Sequence, residues 1–571
     1  MALIPVPAEV VDALRQIDGG QRPSDLESET MEFKSERGGH RTTLSKMAEA
    51  AMCLANSRGG TVVVGVEDAV VGPGAVSGTT IDIHEARRYI FDSLTPGLTV
   101  TVAEHHHRGK RLLLVGVPTG ATVHAVAGKV ARRIGRSCLP LAPDQVAALH
   151  DERAGRDPSE GRSGRSVDEV DPAALVLARQ HLRQLTDQRV RWADLSTPEL
   201  CKVMGLATDD GELLIAGEQL FCTGSTEAVI YQHRASVGSP VDASERLAKP
   251  LVTAFSRTLE HVAARNGWDP LLLRSGQQLQ LQWYPDDVVR EALANAFVHR
   301  RLDMPDPVHV EHFDDSLSVT SIGSLVSGVT VDNILTAASR PRNRLLARAV
   351  RSLGLIEELG TGVGRMYRSM LRLGKPPPSY EATADSVRVS LVGGSADIAF
   401  ARFVAHLDEP LRDDVEALLV LRRLCEASST SSADMAPLFQ RSVDETASSL
   451  KRMSERPSPL IEPLHASAST SRVRYRLSNA TSTGLASAVV HRRHTRREIA
   501  EKVVAYVSEH GRITNADVRN LFNVGTPRAS VILRDLVQRD ALVRTSDSSR
   551  GPAVEYGPGL FFEALVRRFE L

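Results

Sequence analysis

Cysteine is scarce in this chain, five among 571 residues, and none of the five (Cys53, Cys138, Cys201, Cys222, Cys425) stands in a CxxC pair. That spacing indicates neither a zinc site nor a disulfide framework. Aromatic residues make up only 4%, so the cores must be aliphatic and rich in alanine. No charge of one sign dominates. The net charge is −1, so any nucleic-acid surface must be local. No apolar run reaches the ~18 residues of a membrane span, and the first residues lack a secretory pattern. The expectation is a cytoplasmic protein with no membrane partner.

What remains is ordinary globular material, 42% hydrophobic and 24% charged. The length suits about three to five domains. The pattern predicts a multidomain chain of α/β and α+β parts. Residues 1–150 read as one domain. The charged stretch "DERAGRDPSEGRSGRSVDEVD" (151–171) reads as a linker. A middle region spans 172–397, with its core at 280–391. Two units of similar plan follow, at 398–480 and 492–571, each with three helices and a two-stranded end.

"LESETMEFKSE" places Glu27, Glu29 and Glu32 just before Phe33 and Lys34. If "TMEFKS" is a strand, Glu32 and Lys34 share a face. Asp68 ends the apolar run "TVVVGVED". Carboxylates meeting at strand ends beside a lysine could hold Mg²⁺ or Mn²⁺ and cleave a phosphodiester. They could equally be solvated strand ends. Glu32 could instead pair with Lys34, or with an arginine such as Arg133, and hold the domain together.

"ESETMEFK", "AMCLANSRGGTVVVGVED" and "RRIGRS" together resemble the Schlafen-type, AlbA-like domain over about residues 24–140. The resemblance implies binding of DNA or RNA. In the family's ribonucleases two glutamates and a downstream aspartate form the site. By position these are Glu27, Glu32 and Asp68, with Lys34 beside them.

"EALANAFVHRR" sets Glu291, Asn295 and His299 at i, i+4 and i+8 among apolar residues. A helix would carry them as one stripe, with its remaining faces in a core. The stripe resembles the ATP site shared by gyrase and MutL, the GHKL class, an α/β sandwich. There the asparagine holds Mg²⁺ on the triphosphate and the glutamate activates water. "YPDDVVREALANAFVHRRL" and "ASRPRNRLLARAVRSLGLIEELGTGVGRM" resemble the C-terminal domain of RecG-like predicted regulators, a divergent GHKL fold, over about 280–391. The resemblance implies ATP as cofactor. It implies a phosphate-binding turn at Gly360, Thr361, Gly362 and Gly364, and a lid-like segment with Arg342 and Asn343. Ser321-Ile322-Gly323 stands where the family has NPG. Serine replaces the polar residue that corresponds to the adenine-reading aspartate, a departure that bears on adenine selectivity. No GxxxxGK[ST] sequence is present, so helicase activity is not indicated.

The last 80 residues follow a winged-helix pattern. Ile499, Val503, Val504 and Val507 give the first helix an apolar face, and Thr514 is placed to cap the second. In the third helix Val531, Leu533 and Leu536 are expected in the core. Thr526, Arg528, Ser530 and Arg534 would then face a major groove. From Arg492 onward Lys and Arg number 14 against 10 Asp and Glu, so this end is basic. The unit at 398–480 carries Asp444 and Glu445 on its third helix, which phosphate would repel, and reads as a spacer or dimer contact in a homo-oligomer. "EHHHRG" (104–109) reads as a solvated hairpin end, and "RRHTRR" (492–497) as a basic arm.

Two functions fit these features. One is a nucleotide-responsive regulator that binds DNA through its C-terminal winged helix. The other is a metal-dependent nuclease effector, for example against phage, gated by the GHKL-like domain.

Overall fold

The computed structural model describes residues 6–571 apart from 225, 237, 249, 273–275, 277, 357–360, 465–472, 486–487, 490–495, 523–525, 547–553 and 570–571, and apart from the side chains of 496–498, 520, 527–528 and 567–569. The chain divides into two compact units. The first is Met1–Leu371 with Lys375–Ala396, and the second is Arg372–Gly374 with Asp397–Leu571.

The first unit opens with helix α1 (Ala8–Asp18), strand β1 (Met31–Lys34), helix α2 (His40–Ala55) and strand β2 (Gly60–Val64). β1 and β2 run parallel, as the intervening helix requires. Strands β3 (Thr101–His107) and β4 (Lys110–Val117) complete a sheet of order β1-β2-β4-β3. Both faces are covered. Leu44, Met47 and Ala51 of α2 pack with Val62, Val64 and Val115. Val10, Leu14 and Ile17 of α1 pack with Phe33, Val63 and Leu112. That is why "TVVV" reads as a continuous apolar run. Gly60, at φ +144°, passes so close to the Thr30 backbone that a Cβ has no room there. A hairpin, β5 (Ala131–Ile134) and β6 (Ser137–Pro140), and helix α3 (Pro143–Arg153) follow.

One expectation is corrected here. Cys53 of α2 and Cys138 of β6 form a disulfide, with their Cα atoms 5.9 Å apart. The two lie 85 positions apart in sequence and meet only through tertiary packing, so no local cysteine spacing announces the bond. The stretch 151–171 is also folded. It holds a strand, Arg162–Ser166, paired with Glu212–Leu214, and short helical turns on either side.

The rest of this unit is built on a six-stranded sheet. Its strands are β7 (Val229–Arg234), β8 (Ala243–Leu247), β9 (Val308–Phe313), β10 (Ser316–Ile322), β11 (Ser379–Ala382) and β12 (Ser386–Val392), in the order β8-β7-β9-β10-β12-β11. The expected hairpin is β9–β10, with Val310 opposite Val319. Helices α4 (Leu251–Ala263), α5 (Asp286–His299), α6 (Arg344–Ser352) and α7 (Gly362–Arg372) belong to the same region. Phe255, Leu293, Phe297, Val310, Leu346 and Met370 share its core.

The second unit repeats one plan twice. The first copy is α8 (Val415–Glu426), β13 (Thr430–Ser431), α9 (Ser432–Phe439), α10 (Val443–Ser454), β14 (Ile461–Pro463) and β15 (Arg474–Leu477). The second is α11 (Arg496–His510), β16 (Ile513–Thr514), α12 (Asn515–Phe522), α13 (Thr526–Gln538), β17 (Leu542–Arg544) and β18 (Glu555–Pro558). Their sheets have the matching orders β13-β15-β14 and β16-β18-β17. In the second copy Val503, Val504 and Val507 are buried as expected. Val531 is not. It is 47% exposed, and Ala529, Ile532, Leu533 and Leu536 form the inward face of α13. From Ala529 the helical period reaches 532, 533 and 536, which leaves 531 outside. Among the described residues no helix is long and apolar enough to cross a membrane.

Candidate functional site

The stripe on α5 opens onto a cavity of about 160 Å³, and Glu291, Asn295 and His299 all line it. Its other walls include Ser321 and Gly323 at the end of β10, the segment that follows to Arg340, Gly362 and Gly364 of α7, and Tyr380 of β11. The apolar side of α5, including Val289, Leu293 and Phe297, is buried in the core. A buried helix thus keeps three polar groups because one edge of it faces a cavity.

Glu291 is 5% exposed. The first residue of α7, Gly362, lies directly against its carboxylate, where a Cβ would overlap it. A helix N-terminus favours an anion at that point. Arg365 approaches the same carboxylate at 3.9 Å. The Asn295 side chain makes no hydrogen bond to the described residues and faces the cavity, and the Tyr380 hydroxyl is buried without a partner among them. Burial pushes the Tyr380 pKa up, so the group stays a donor. Burial, aided by the charge of Arg342, lowers the His299 pKa from 6.5 to about 4, so its ring is neutral at pH 7 and can accept a hydrogen bond. A carboxylate, a carboxamide, a neutral imidazole and a glycine-rich helix start are groups that can hold a polyphosphate and a polarised water.

Not every expected residue reaches this cavity. Arg342 donates from Nε to the His299 carbonyl (3.0 Å) and from Nη2 to the Ser324 carbonyl (2.7 Å). Asn343 is fully buried and donates from Nδ2 to the carbonyls of Val298 and Arg300, both at 2.9 Å. Both residues close the C-terminal end of α5. Thr361 is exposed and accepts from Arg365 Nη2 at 3.2 Å. Gly360 lies outside the described residues. Sequence reasoning missed Arg365 and Tyr380. Arg365 stands one turn into the helix that the glycines begin, a spacing that could have pointed to it. Tyr380 carried no signal.

The N-terminal carboxylates form an ion-pair network. Lys34 Nζ lies 2.5 Å from Glu32 Oε1, and Arg133 Nη1 donates to Glu32 Oε2 at 2.5 Å. Glu27 Oε1 accepts from the Phe33 N–H at 3.1 Å, and its other oxygen is 3.6 Å from Arg133. Burial raises the Glu27 pKa above the ordinary carboxylate value, against the lowering effect of the Phe33 N–H. The "ANS" motif after α2 positions Arg133. Ser57 Oγ donates to the Arg133 carbonyl and accepts from its N–H, while Asn56 Nδ2 donates to the carbonyls of His124 and Ala131. Asp68 is exposed. Its neighbour Glu67 is the buried carboxylate at that strand end, 2.8 Å from Arg37. Among the described residues no three His, Cys, Asp or Glu side chains converge closely enough to hold a metal ion. Both oxygens of Glu32 already face cations, so this donor set does not fit a metal as arranged.

In the C-terminal copy Thr514 caps α12, with its Oγ1 accepting from the Asp517 N–H at 3.2 Å. Thr526 and Arg534 are exposed on α13. Ser530 donates to the Thr526 carbonyl and accepts from Asn515 Nδ2 at 2.9 Å. The Arg528 side chain and most of "RRHTRR" lie outside the described residues. "EHHHRG" is the turn end of β3–β4, where His107 lies 3.2 Å from Asp18.

Two stretches of the chain match known families. Residues 27–142 match the family described as "Schlafen, AlbA_2". Residues 306–391 match the family described as "Putative ATP-dependent DNA helicase recG C-terminal". The chain therefore joins a Schlafen AlbA_2-type domain to a RecG-type C-terminal, nucleotide-binding-type domain. It is also similar to the crystal structure of the DIP2311 protein from Corynebacterium diphtheriae, at 25% identity and a TM-score of 0.51, over 84% of this chain and 98% of that one. No curated protein matches the chain.

Proposed function

We propose that this protein is a nucleotide-responsive, nucleic-acid-binding regulator. The observation that carries the reading is the α5 cavity, where the Asn295 carboxamide, without a hydrogen bond among the described residues, faces the same space as Glu291 and the start of α7. ATP is the cofactor that suits those groups. Mg²⁺, when bound with it, would neutralise phosphate charge, with Asn295 as its protein ligand. The N–H groups at Gly362 and Gly364 would meet phosphate oxygens. Glu291 would take the proton of an attacking water once Arg365 moves aside.

Nucleic acid would meet the Schlafen AlbA_2-type domain and the C-terminal copy in the second unit. The helix–strand–helix–helix–hairpin order of that copy is that of a winged helix, with Thr526 and Arg534 on the exposed side of α13. The Glu32–Arg133 pair supports a structural role for the N-terminal carboxylates, and hence binding rather than cleavage. Incubation of labelled tRNA, single-stranded DNA and duplex DNA with Mg²⁺ or Mn²⁺, with and without ATP, tests this. Retention without cleavage is expected. Mn²⁺-dependent cleavage would establish the nuclease effector instead.

A further inference from the structure

A second cavity, of about 660 Å³, lies between the end of α3 and the segment joining β10 to α6. It shares only Val326, Ser339 and Arg340 with the α5 cavity. Six arginines line it: Arg153, Arg156, Arg301, Arg340, Arg342 and Arg344. Its carboxylates are Asp151, Glu152 and Asp303, so the walls carry an excess of three positive charges.

The pairing inside the cavity shows where that excess sits. Arg301 takes Asp303 at 2.5 Å and also Asp144, just outside the lining, at 2.8 Å, and Arg156 takes Asp151 at 3.1 Å, so the excess rests on Arg153, Arg340, Arg342 and Arg344. Glu152 accepts the Ser327 N–H. Among the described residues Arg153 makes no ion pair and donates to the carbonyls of Ala55 and Ser57, its Nε is buried without a partner, and the nearest compensating charge is that of Glu152. Arg342 likewise donates only to carbonyls. Arg344 donates to the Gly155 carbonyl at 2.5 Å. Arg340 is exposed and makes no ion pair among the described residues. Burial lowers the pKa of Arg153 and of Arg342, yet a guanidinium stays charged in a protein. Carbonyl oxygens satisfy N–H groups without cancelling charge, so two half-buried guanidinium groups here share the partial compensation of Glu152. Guanidinium forks match phosphate oxygens in pairs.

We propose that this cavity is a second ligand site, separate from the α5 cavity, for the phosphate groups of a phosphorylated ligand. Arg153 holds them from the α3 side, and Arg340, Arg342 and Arg344 from the other. Because the walls come from both domains of the first unit, an occupied site ties the end of α3 to the lid-like segment. The phosphates can come from a free polyphosphate or nucleotide, or from a nucleic-acid backbone.

Calorimetric titration of the full chain with inorganic tripolyphosphate, at fixed ionic strength, tests the proposal. Saturable binding is expected. Arg344→Gln, which lines this cavity and not the α5 cavity, should weaken it, and the double variant Arg340→Gln, Arg344→Gln should weaken it by at least about tenfold, each with the melting temperature unchanged. Glu152→Gln, which removes the lining carboxylate not paired to an arginine, should tighten it. Asn295→Ala, in the other cavity, should leave unchanged the component of binding that the double variant weakens. Competition by a short oligonucleotide would assign the phosphates to a nucleic-acid backbone, and competition by nucleotides alone to a small ligand. The site is overturned if tripolyphosphate does not saturate or if chloride of equal ionic strength displaces it as well. It is also overturned if the double variant binds like the wild type, or if Asn295→Ala abolishes the component that the double variant weakens.

Discussion

Asn295 and Glu291 lie one turn apart, yet their substitutions should separate. Asn295→Ala removes the free carboxamide in the α5 cavity and should weaken Mg-ATP binding by roughly tenfold or more, the usual scale for a lost metal-site group. Glu291→Ala should leave binding nearly intact and abolish hydrolysis, because it removes the base alone. Calorimetry and a phosphate-release assay separate the two. Glu32 allows a second test at this scale. Its side chain is 10% exposed and Arg133's is 1%, so Glu32→Gln leaves a buried guanidinium short of its counter-charge. A loss of about 3 kcal/mol is expected, equal with and without Mn²⁺. If Mn²⁺ raises the wild-type melting temperature but not the variant's, Glu32 is a metal ligand. The stripe on α5 was legible from its spacing of four. Arg133 was one candidate partner among several, because strand β5 lies about a hundred residues from Glu32 in the chain and nothing local fixes which arginine the fold delivers.

At the scale of elements, the start of α7 is set by the absence of a side chain. Gly362 touches the Glu291 carboxylate, so Gly362→Ala must displace that carboxylate or push α7 and α5 apart. A cost of about 1–3 kcal/mol and loss of nucleotide binding are expected; denaturant melts and calorimetry would show both. Helix α13 supplies a contrast between neighbours. Ile532 is 5% exposed and Val531 is 47% exposed. Ile532→Ala should cost about 2–5 kcal/mol, and Val531→Ala should fall within about ±0.5 kcal/mol. The helix itself was legible from its sequence. Its phase was not, because valine, isoleucine and leucine at 531–533 offer three adjacent apolar positions, and only packing on Val503 and Val507 chooses among them.

At the scale of the whole molecule, the order of parts was legible because each has its own signature: the "EFK" and "GG" motifs, the polar stripe, and the twice-repeated helix–helix–helix–hairpin plan. The folding of 151–171 was not, since charged and glycine-rich sequence gives no sign that its strand pairs with residues some 50 positions later. The Cys53–Cys138 bond and the arginine-lined cavity were hidden for the same reason, as products of tertiary assembly. Nucleotide in the α5 cavity is expected to change how the chain binds nucleic acid. The direct measurement is the affinity of the full chain for labelled duplex DNA at fixed salt, with and without Mg-ATP, for the wild type and Asn295→Ala. The expected result is an affinity that shifts with Mg-ATP in the wild type and not in the variant. An affinity that Mg-ATP leaves unchanged in the wild type, while calorimetry shows the nucleotide bound, would contradict it.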